Sequence, residues 1–176
     1  MSVAARAPFP VSRGAAIALA ALGPVAIGGI LAARAHDPSP MIAAPAIVFG
    51  VVAATAPALY IATAATGNAP PLALVVRAFG VALGAFGIAL AGLILPAAFA
   101  ALSSLAPSTA IAVSSAAIAA AGGLALRRLA SELRTGASEA GLAPSLAGGA
   151  VFLIWAAAVA TIAGRLWWDL AVEVVS

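Results

Sequence analysis

The sequence predicts an all-α integral membrane protein, a polytopic helical bundle of about five transmembrane helices within a range of four to six. Hydrophobic residues make up 65% of its 176 residues and charged residues only 7%, whereas soluble domains carry about 25% charged residues. The apolar residues also form long uncharged runs, which polar or proline-rich segments separate. Because a helix of ~20 apolar residues crosses a ~30 Å hydrocarbon core, lipid is expected to solvate most of this chain.

The first span is predicted over residues 14–33, after a short cytoplasmic segment formed by residues 1–13. Arg6 and Arg13 lie in that segment, and an uncharged run follows them. A cleaved signal peptide is the alternative, because Ala33-Arg34-Ala35 fits a small-x-small cleavage site. The uncharged run exceeds the usual ~7–15 apolar residues of a signal peptide, which favours a retained span.

The second and third spans are predicted over residues 41–66 and 72–95. Residues 34–40 separate the first span from the second and contain His36-Asp37 before a proline. Asp before Pro is a common turn initiator, so a turn is expected there. Residues 67–71, which include two consecutive prolines, form the next turn.

The fourth and fifth spans are predicted over residues 109–126 and 145–164. Between the third and fourth spans, the apolar residues 97–108 either extend the third helix or form a re-entrant turn. A break at Pro96 would raise the number of spans to six. Residues 127–143 hold five of the thirteen charges and form the one long hydrophilic loop.

The arginines predict the orientation of the chain. With five spans, the N-terminal segment and the two connections at 67–71 and 127–143 lie on the same side of the membrane. Arg34 and Arg165 lie on the other side. Since basic residues are enriched in cytoplasmic segments, we expect a cytoplasmic N-terminus and an external C-terminus, in a membrane such as the bacterial inner membrane. The arginines on the first side are Arg6, Arg13, Arg127, Arg128 and Arg134, joined by Arg77 if its side chain extends towards that side.

Arg77 is a candidate contact for lipid or for a buried group, because it is the one charge inside a predicted span. Charges at the bilayer centre cost ~2.5–3.5 kcal/mol on insertion scales and often mark function. Arg77 lies only ~8 Å along the third span, so its side chain can reach the headgroups. A buried contact with a substrate or a lipid phosphate is the alternative.

Small residues at helical spacing predict packing faces on the third and fourth spans, since small side chains let membrane helices approach closely. Packing within the chain is expected, and self-association is the alternative. The predicted packing residues are Gly80, Gly84 and Gly87 in the third span and Ser115, Ala119 and Gly123 in the fourth.

Leu126, Leu129 and Leu133 form an apolar stripe among charged residues, directly after the fourth span. This pattern predicts a short amphipathic helix on the membrane surface, which Gly136 ends as a C-cap. A docking surface for a partner is the alternative.

Residues 165–176 are predicted to form an amphipathic C-terminal tail. The candidate partner contact consists of Arg165, Trp167, Trp168 and Asp169, because tryptophan and arginine often anchor protein contacts. Anchoring of the tryptophans at the membrane interface is the alternative.

Several of these features together resemble small bacterial membrane proteins related to the YIP-type membrane domain. They are Pro57-Ala58-Leu59-Tyr60, the turn at 67–71, Pro96 and the tryptophan-bearing segment from Phe152 to Trp168. The resemblance covers roughly residues 40–175 and implies five spans with a cytosolic N-terminus. Eukaryotic relatives interact with prenylated small GTPases, and some bacterial ones carry an actin-binding label. No motif in this sequence matches a site for either activity.

The residue types present exclude several kinds of chemistry. The chain has no cysteine and no lysine, so disulfides, thiolate metal sites and Schiff-base lysines are excluded. It has a single histidine, whereas a protein metal site needs three or four ligands. We therefore expect no catalytic residue, no metal and no cofactor, and the protein is not expected to be an enzyme.

The expected function is that of a non-catalytic structural or accessory subunit, or a scaffold, of a membrane complex. The alternative is a small transporter or channel for an anionic or lipid-like substrate. Membrane lipid is an expected partner, together with other membrane-protein subunits or further copies of the chain. Nucleic acid is not an expected partner.

Overall fold

The computed structural model describes residues 13–67, 69–103, 106–143 and 145–175. Within these residues the chain forms five α-helices and no strand, which confirms the predicted all-α bundle. Four of the helices are long and apolar enough to cross a membrane. The first helix contributes a shorter apolar stretch, Ala20–Ala35. The helices are α1 (Arg13–Ala35), α2 (Ser39–Ala65), α3 (Leu72–Ser103), α4 (Pro107–Glu139) and α5 (Leu146–Val175).

The helices cover the predicted spans except Thr66 and Ser145, and each helix also extends beyond its span. The α3 helix continues through Pro96 to Ser103, so residues 97–103 lengthen the third helix and form no re-entrant turn. The α4 helix continues through Gly136, which is buried, and the left-handed glycine after it is Gly141 at φ +72°. Gly136 is therefore not the predicted C-cap. The predicted tail is the last part of α5, except Ser176, which lies outside the described residues.

The α1 helix lies at the centre of the bundle. Its Ile27 and Leu31 are completely buried, and it packs extensively against both α2 and α3. The α4 helix packs along α3 and the α5 helix along α2, whereas α4 and α5 touch each other at few points.

Close approach between α1 and α2 depends on Gly28. A Cβ atom at this position would lie 2.8 Å from the Cα atom of Met41 and closer still to the carbonyl oxygen of Pro40. At Gly23, an added Cβ would lie 2.9 Å from the Leu90 side chain of α3. The sequence did not single out these two glycines, because they do not follow the four-residue spacing of the predicted packing faces.

Arg34 joins the ends of α1 and α3. Its Nε donates to the carbonyl oxygen of Ala101 at 3.1 Å, and its guanidinium NH2 group donates to the same oxygen. Ala101 lies in the last turn of α3, where helix carbonyls lack intrahelical partners and a positive charge is favourable. Arg34 therefore stabilises this end of the bundle.

The turn predicted at His36-Asp37 is confirmed. His36 ends α1 in the left-handed conformation, at φ +55°. The Asp37 carboxylate accepts the backbone N–H of Ser39 at 3.0 Å and the Ser39 hydroxyl, and so satisfies a free donor at the start of α2. These two hydrogen bonds lower the pKa of Asp37 below its ordinary value.

Candidate functional site

An apolar cavity of about 590 Å³ lies between α2, α3, α4 and α5. Valines of α2 and phenylalanines of α3 form one side, among them Val51 and Phe86. The opposite walls carry small residues, which are Ala119, Gly122 and Gly123 of α4 and Ala160, Ala163 and Gly164 of α5. Since α4 and α5 also touch only at few points, the space between them is left unfilled by the chain's own side chains.

Trp155 of α5 closes one end of the cavity. Its Nε1 donates to the backbone carbonyl of Thr55 in α2 at 2.9 Å. Its ring packs edge-on against Phe79 of α3, with centroids 5.9 Å apart, and lies 6.0 Å from the ring of Phe152. Leu129 of α4 packs in the same cluster, so four helices meet at this end.

Trp167 and Ser115 lie at the other end, where the Trp167 Nε1 donates to the Ser115 Oγ at 2.8 Å. The two tryptophans that bound the cavity are twelve residues apart on α5, which corresponds to ~18 Å of helix. This length is close to the ~15 Å that one leaflet contributes to a ~30 Å hydrocarbon core.

The cavity offers almost nothing polar to a ligand. Ser115 supplies the single hydroxyl of the lining, and it already accepts the Trp167 N–H. Both lining indole N–H groups are also donated within the protein. Apolar cavities of this kind exclude water and take up apolar molecules, so the arrangement suits a hydrocarbon chain.

The predicted packing residues fall into two groups. Gly84 and Gly87 of α3 are buried within the bundle, whereas Gly80 is exposed and a Cβ added there would meet no atom within 4 Å. Ser115, Ala119 and Gly123 of α4 line the cavity. The α4 stripe therefore borders an open space and does not form a tight contact between helices.

The leucine stripe of α4 packs inside the bundle, although the sequence predicted that it would lie on the membrane surface. Leu129 is only 2% exposed, and Leu126 and Leu133 pack against the same cluster around Trp155. The α4 helix continues without a break through these residues, so its apolar face keeps packing against the cluster around Trp155.

Arg77 lies on the outside of the bundle and is exposed. A Cβ added at Gly136 of α4 would lie 3.5 Å from the Cβ of Leu74 in α3. Because α3 and α4 run antiparallel, Arg77 is then level with Leu133, in the part of α4 that also carries Arg127, Arg128 and Arg134. Arg77 thus belongs to the arginine-rich end of the bundle.

The candidate partner contact is divided by the structure. Trp167 is half-buried and hydrogen-bonded to α4, whereas Trp168 is 62% exposed. Arg165 and Asp169 form an exposed ion pair of 3.2 Å along α5. Of the four candidate contact residues, Trp168, Arg165 and Asp169 therefore remain available on the outer surface of α5.

The apolar helices and their arrangement define the chain as an integral membrane protein with transmembrane helices. It matches no known protein family, no curated protein and no solved structure. The resemblance to proteins related to the YIP-type domain stays a prediction.

Proposed function

We propose that the protein is a non-catalytic integral membrane protein that binds a lipid-like molecule, with a hydrocarbon chain of that molecule in the cavity. The observation that carries this proposal is the apolar cavity of about 590 Å³. Ligand sites in proteins are typically ~300–1,000 Å³ and mostly apolar. Of the functions that the sequence suggested, this proposal is related to the alternative of a small transporter or channel, with which it shares the lipid-like ligand.

The size of the cavity supports an occupant of lipid dimensions. A dry apolar cavity of ~150 Å³ binds benzene, and this cavity of about 590 Å³ is roughly four times larger. The bilayer around the protein supplies hydrocarbon chains that can fill the space.

Lipid retention by the purified protein tests the proposal. The protein is purified in a mild detergent, and the phospholipid bound per chain is measured by native mass spectrometry. Ala163→Phe places an aromatic ring in the cavity, because Ala163 lines it, and should abolish the retained lipid. Ala158→Phe adds the same ring at an exposed position of α5 outside the cavity lining, and should retain lipid as the wild type does.

The paired variants distinguish a cavity site from a surface layer of lipid. Loss of lipid in Ala163→Phe alone supports the proposal, provided that its helical circular dichroism is unchanged. If the two variants and the wild type retain equal amounts of lipid, the cavity holds no lipid chain and the proposal is wrong.

A scaffold in a membrane complex is the second candidate function. The observation that favours it is the outer surface of α5, where Trp168 is exposed beside the Arg165–Asp169 pair. A tryptophan buried at a protein contact contributes about 2 kcal/mol or more. Trp168→Ala should then release co-purifying chains while the lipid in the cavity is retained, and unchanged co-purification would contradict this role.

A further inference from the structure

We infer that the occupant of the cavity is an anionic phospholipid, with one acyl chain between α4 and α5 and its phosphate at Arg127 and Arg134. This inference rests on the proposed function and specifies the headgroup and the leaflet. Three features of the structure support it: the open side of the cavity, the position of the two arginines, and the length of the cavity.

The cavity is accessible from the side, between α4 and α5. Ala119 and Gly123 line it and are also exposed, so they lie at its edge. A Cβ added at Gly123 or at Gly164 would meet no atom within 4 Å. Acyl chains lie roughly parallel to transmembrane helices, so a chain in the adjacent leaflet can enter this opening without leaving the hydrocarbon.

Arg127 lies at the end of this opening. Ala119, Gly123 and Arg127 follow one another at four-residue intervals and so occupy the same side of α4. Arg134 lies two turns further along the same side of the helix. Arg127 is close in sequence to Leu129, which packs with Trp155 at the closed end of the cavity. A phosphate at this end of the lateral opening between α4 and α5 would therefore meet Arg127 first.

The charges around this end favour an anion. Arg127 and Arg134 are exposed and form no salt bridge among the described residues. The neighbouring Arg128 pairs with Glu132 at 2.7 Å. The facing α5 helix carries no acidic residue before Asp169, so no carboxylate on that helix opposes a phosphate here. Arginine binds phosphate oxygens through charge-assisted hydrogen bonds.

The length of the cavity fits one chain of one leaflet. The ~18 Å of α5 between Trp155 and Trp167 is close to the ~15 Å of a leaflet. With the phosphate at Arg127, the acyl chain would run from the Trp155 end towards Ser115 and Trp167. The second acyl chain would stay in the surrounding bilayer, because the opening lies along the bundle's side.

A lipid competition experiment tests this inference. The full chain is reconstituted into nanodiscs of equal parts dioleoyl-phosphatidylglycerol and dioleoyl-phosphatidylcholine, which share their acyl chains and differ in charge. After release into detergent, native mass spectrometry counts each lipid per chain. We expect one retained lipid, mostly phosphatidylglycerol. Arg127→Gln should lower the ratio of the two lipids about fivefold, and Arg127→Gln with Arg134→Gln should remove the preference.

Arg128→Gln is the matched control. It removes the same charge from a residue that lies about 100° around the helix from Arg127 and is paired with Glu132. It should keep the preference for phosphatidylglycerol. The inference is overturned if Arg128→Gln acts as strongly as Arg127→Gln, or if the double variant keeps the preference. It is also overturned if the chain is released as a dimer without lipid, since a second copy then fills the space.

These outcomes separate the inference from the proposed function. If the double variant still binds one lipid per chain without preference, the acyl-chain site stands and the phosphate contact is supported. If the double variant keeps the preference while Ala163→Phe loses all lipid, the cavity binds a chain but the assigned phosphate contact is wrong. If Ala163→Phe retains lipid, the proposed function itself fails.

Discussion

At Gly28 the backbone of α1 lies so close to the start of α2 that a single methyl group decides whether the helices can pack. A Cβ there would lie 2.8 Å from the Cα of Met41, whereas at the next residue, Gly29, it would meet no atom within 4 Å. Helix backbones in membranes approach this closely only through the smallest residues. One methyl group is thus excluded at one position and tolerated at its neighbour.

Gly28→Ala should therefore destabilise the bundle by about 2 kcal/mol or more, because the obstacle is backbone and cannot rotate away. Gly29→Ala adds the same methyl group to the same helix and should leave stability within about 0.5 kcal/mol. Thermal unfolding of both variants in the same detergent measures the difference. Equal melting temperatures would show that α1 and α2 do not pack as described.

Asp37 makes the start of α2 sensitive to acid. Hydrogen bonds from the Ser39 hydroxyl and backbone N–H lower the pKa of its carboxyl group in the folded protein. The stabilisation is therefore present above the unfolded pKa of ~3.9, and it is lost as the pH falls through the lower, folded pKa. Asp37→Asn should lower the melting temperature at pH 7 and have a smaller effect below about pH 4.

Ser39→Ala provides a check on the cause, because it removes the hydroxyl donor but keeps the backbone one. It should reproduce part of the effect of Asp37→Asn at pH 7. An effect of Asp37→Asn that is the same at pH 7 and pH 3 would exclude the carboxylate as the stabilising group.

At the scale of the helices, two tryptophans fix α5 to its neighbours. Trp155 donates to a backbone carbonyl of α2 and Trp167 to a hydroxyl of α4. Trp168, adjacent to Trp167 on the chain, is 62% exposed. The position of α5 therefore depends on the two indole N–H groups more than on extensive contact with α4.

Trp167→Phe should lower stability by about 1 kcal/mol, since it keeps an aromatic ring but loses a hydrogen bond within the membrane. Trp168→Phe is the matched control and should have no measurable effect. The two variants can be compared by titration with a denaturing detergent, following helix content. If Ser115→Ala lowers stability further in the Trp167→Phe protein, the two groups do not form the pair described here.

The number of helices could be predicted from the sequence, because long uncharged runs have no other stable arrangement in lipid, whereas α3, α4 and α5 extend well beyond the predicted spans. The role of the small residues could not be predicted. Ser115, Ala119 and Gly123 have the spacing of a packing face, yet they border a cavity. Whether a small residue meets a helix or a space depends on the neighbouring helix, and four-residue spacing carries no information about that neighbour.

The packing of the central helix and the presence of the cavity also depend on neighbouring helices that local sequence patterns do not encode. Gly28 is a contact point because Pro40 and Met41 return next to it after the turn at His36. The cavity exists because small residues on α4 face small residues on α5, two helices whose relative position no local pattern encodes. Arg77 is exposed on the outside of the bundle and level with Leu133 of α4, and its contact with lipid headgroups stays a prediction.

At the scale of the whole molecule, the five helices divide the charges between the two ends of the bundle. The start of α1, the α2–α3 turn and the end of α4 lie towards one end, with Arg77 and Arg134 close to it and with Arg127 and Arg128 about 10 Å further along α4. Arg34, Asp37 and Asp169 lie at the other end, where Arg34 is bound to the end of α3. The phosphate site inferred at Arg127 thus lies at the arginine-rich end.

The last prediction is that the arginine-rich end faces the cytoplasm. Basic residues near helix ends are retained on the cytoplasmic side during insertion, so the N-terminus should be cytoplasmic and the C-terminus external. The chain contains no cysteine, and a single cysteine at an exposed loop position therefore reports its side of the membrane without background. In intact cells an impermeant thiol reagent should label His36→Cys and should label Ala140→Cys only after lysis. The reverse pattern would invert the topology and would place the lipid bound at Arg127 in the outer leaflet.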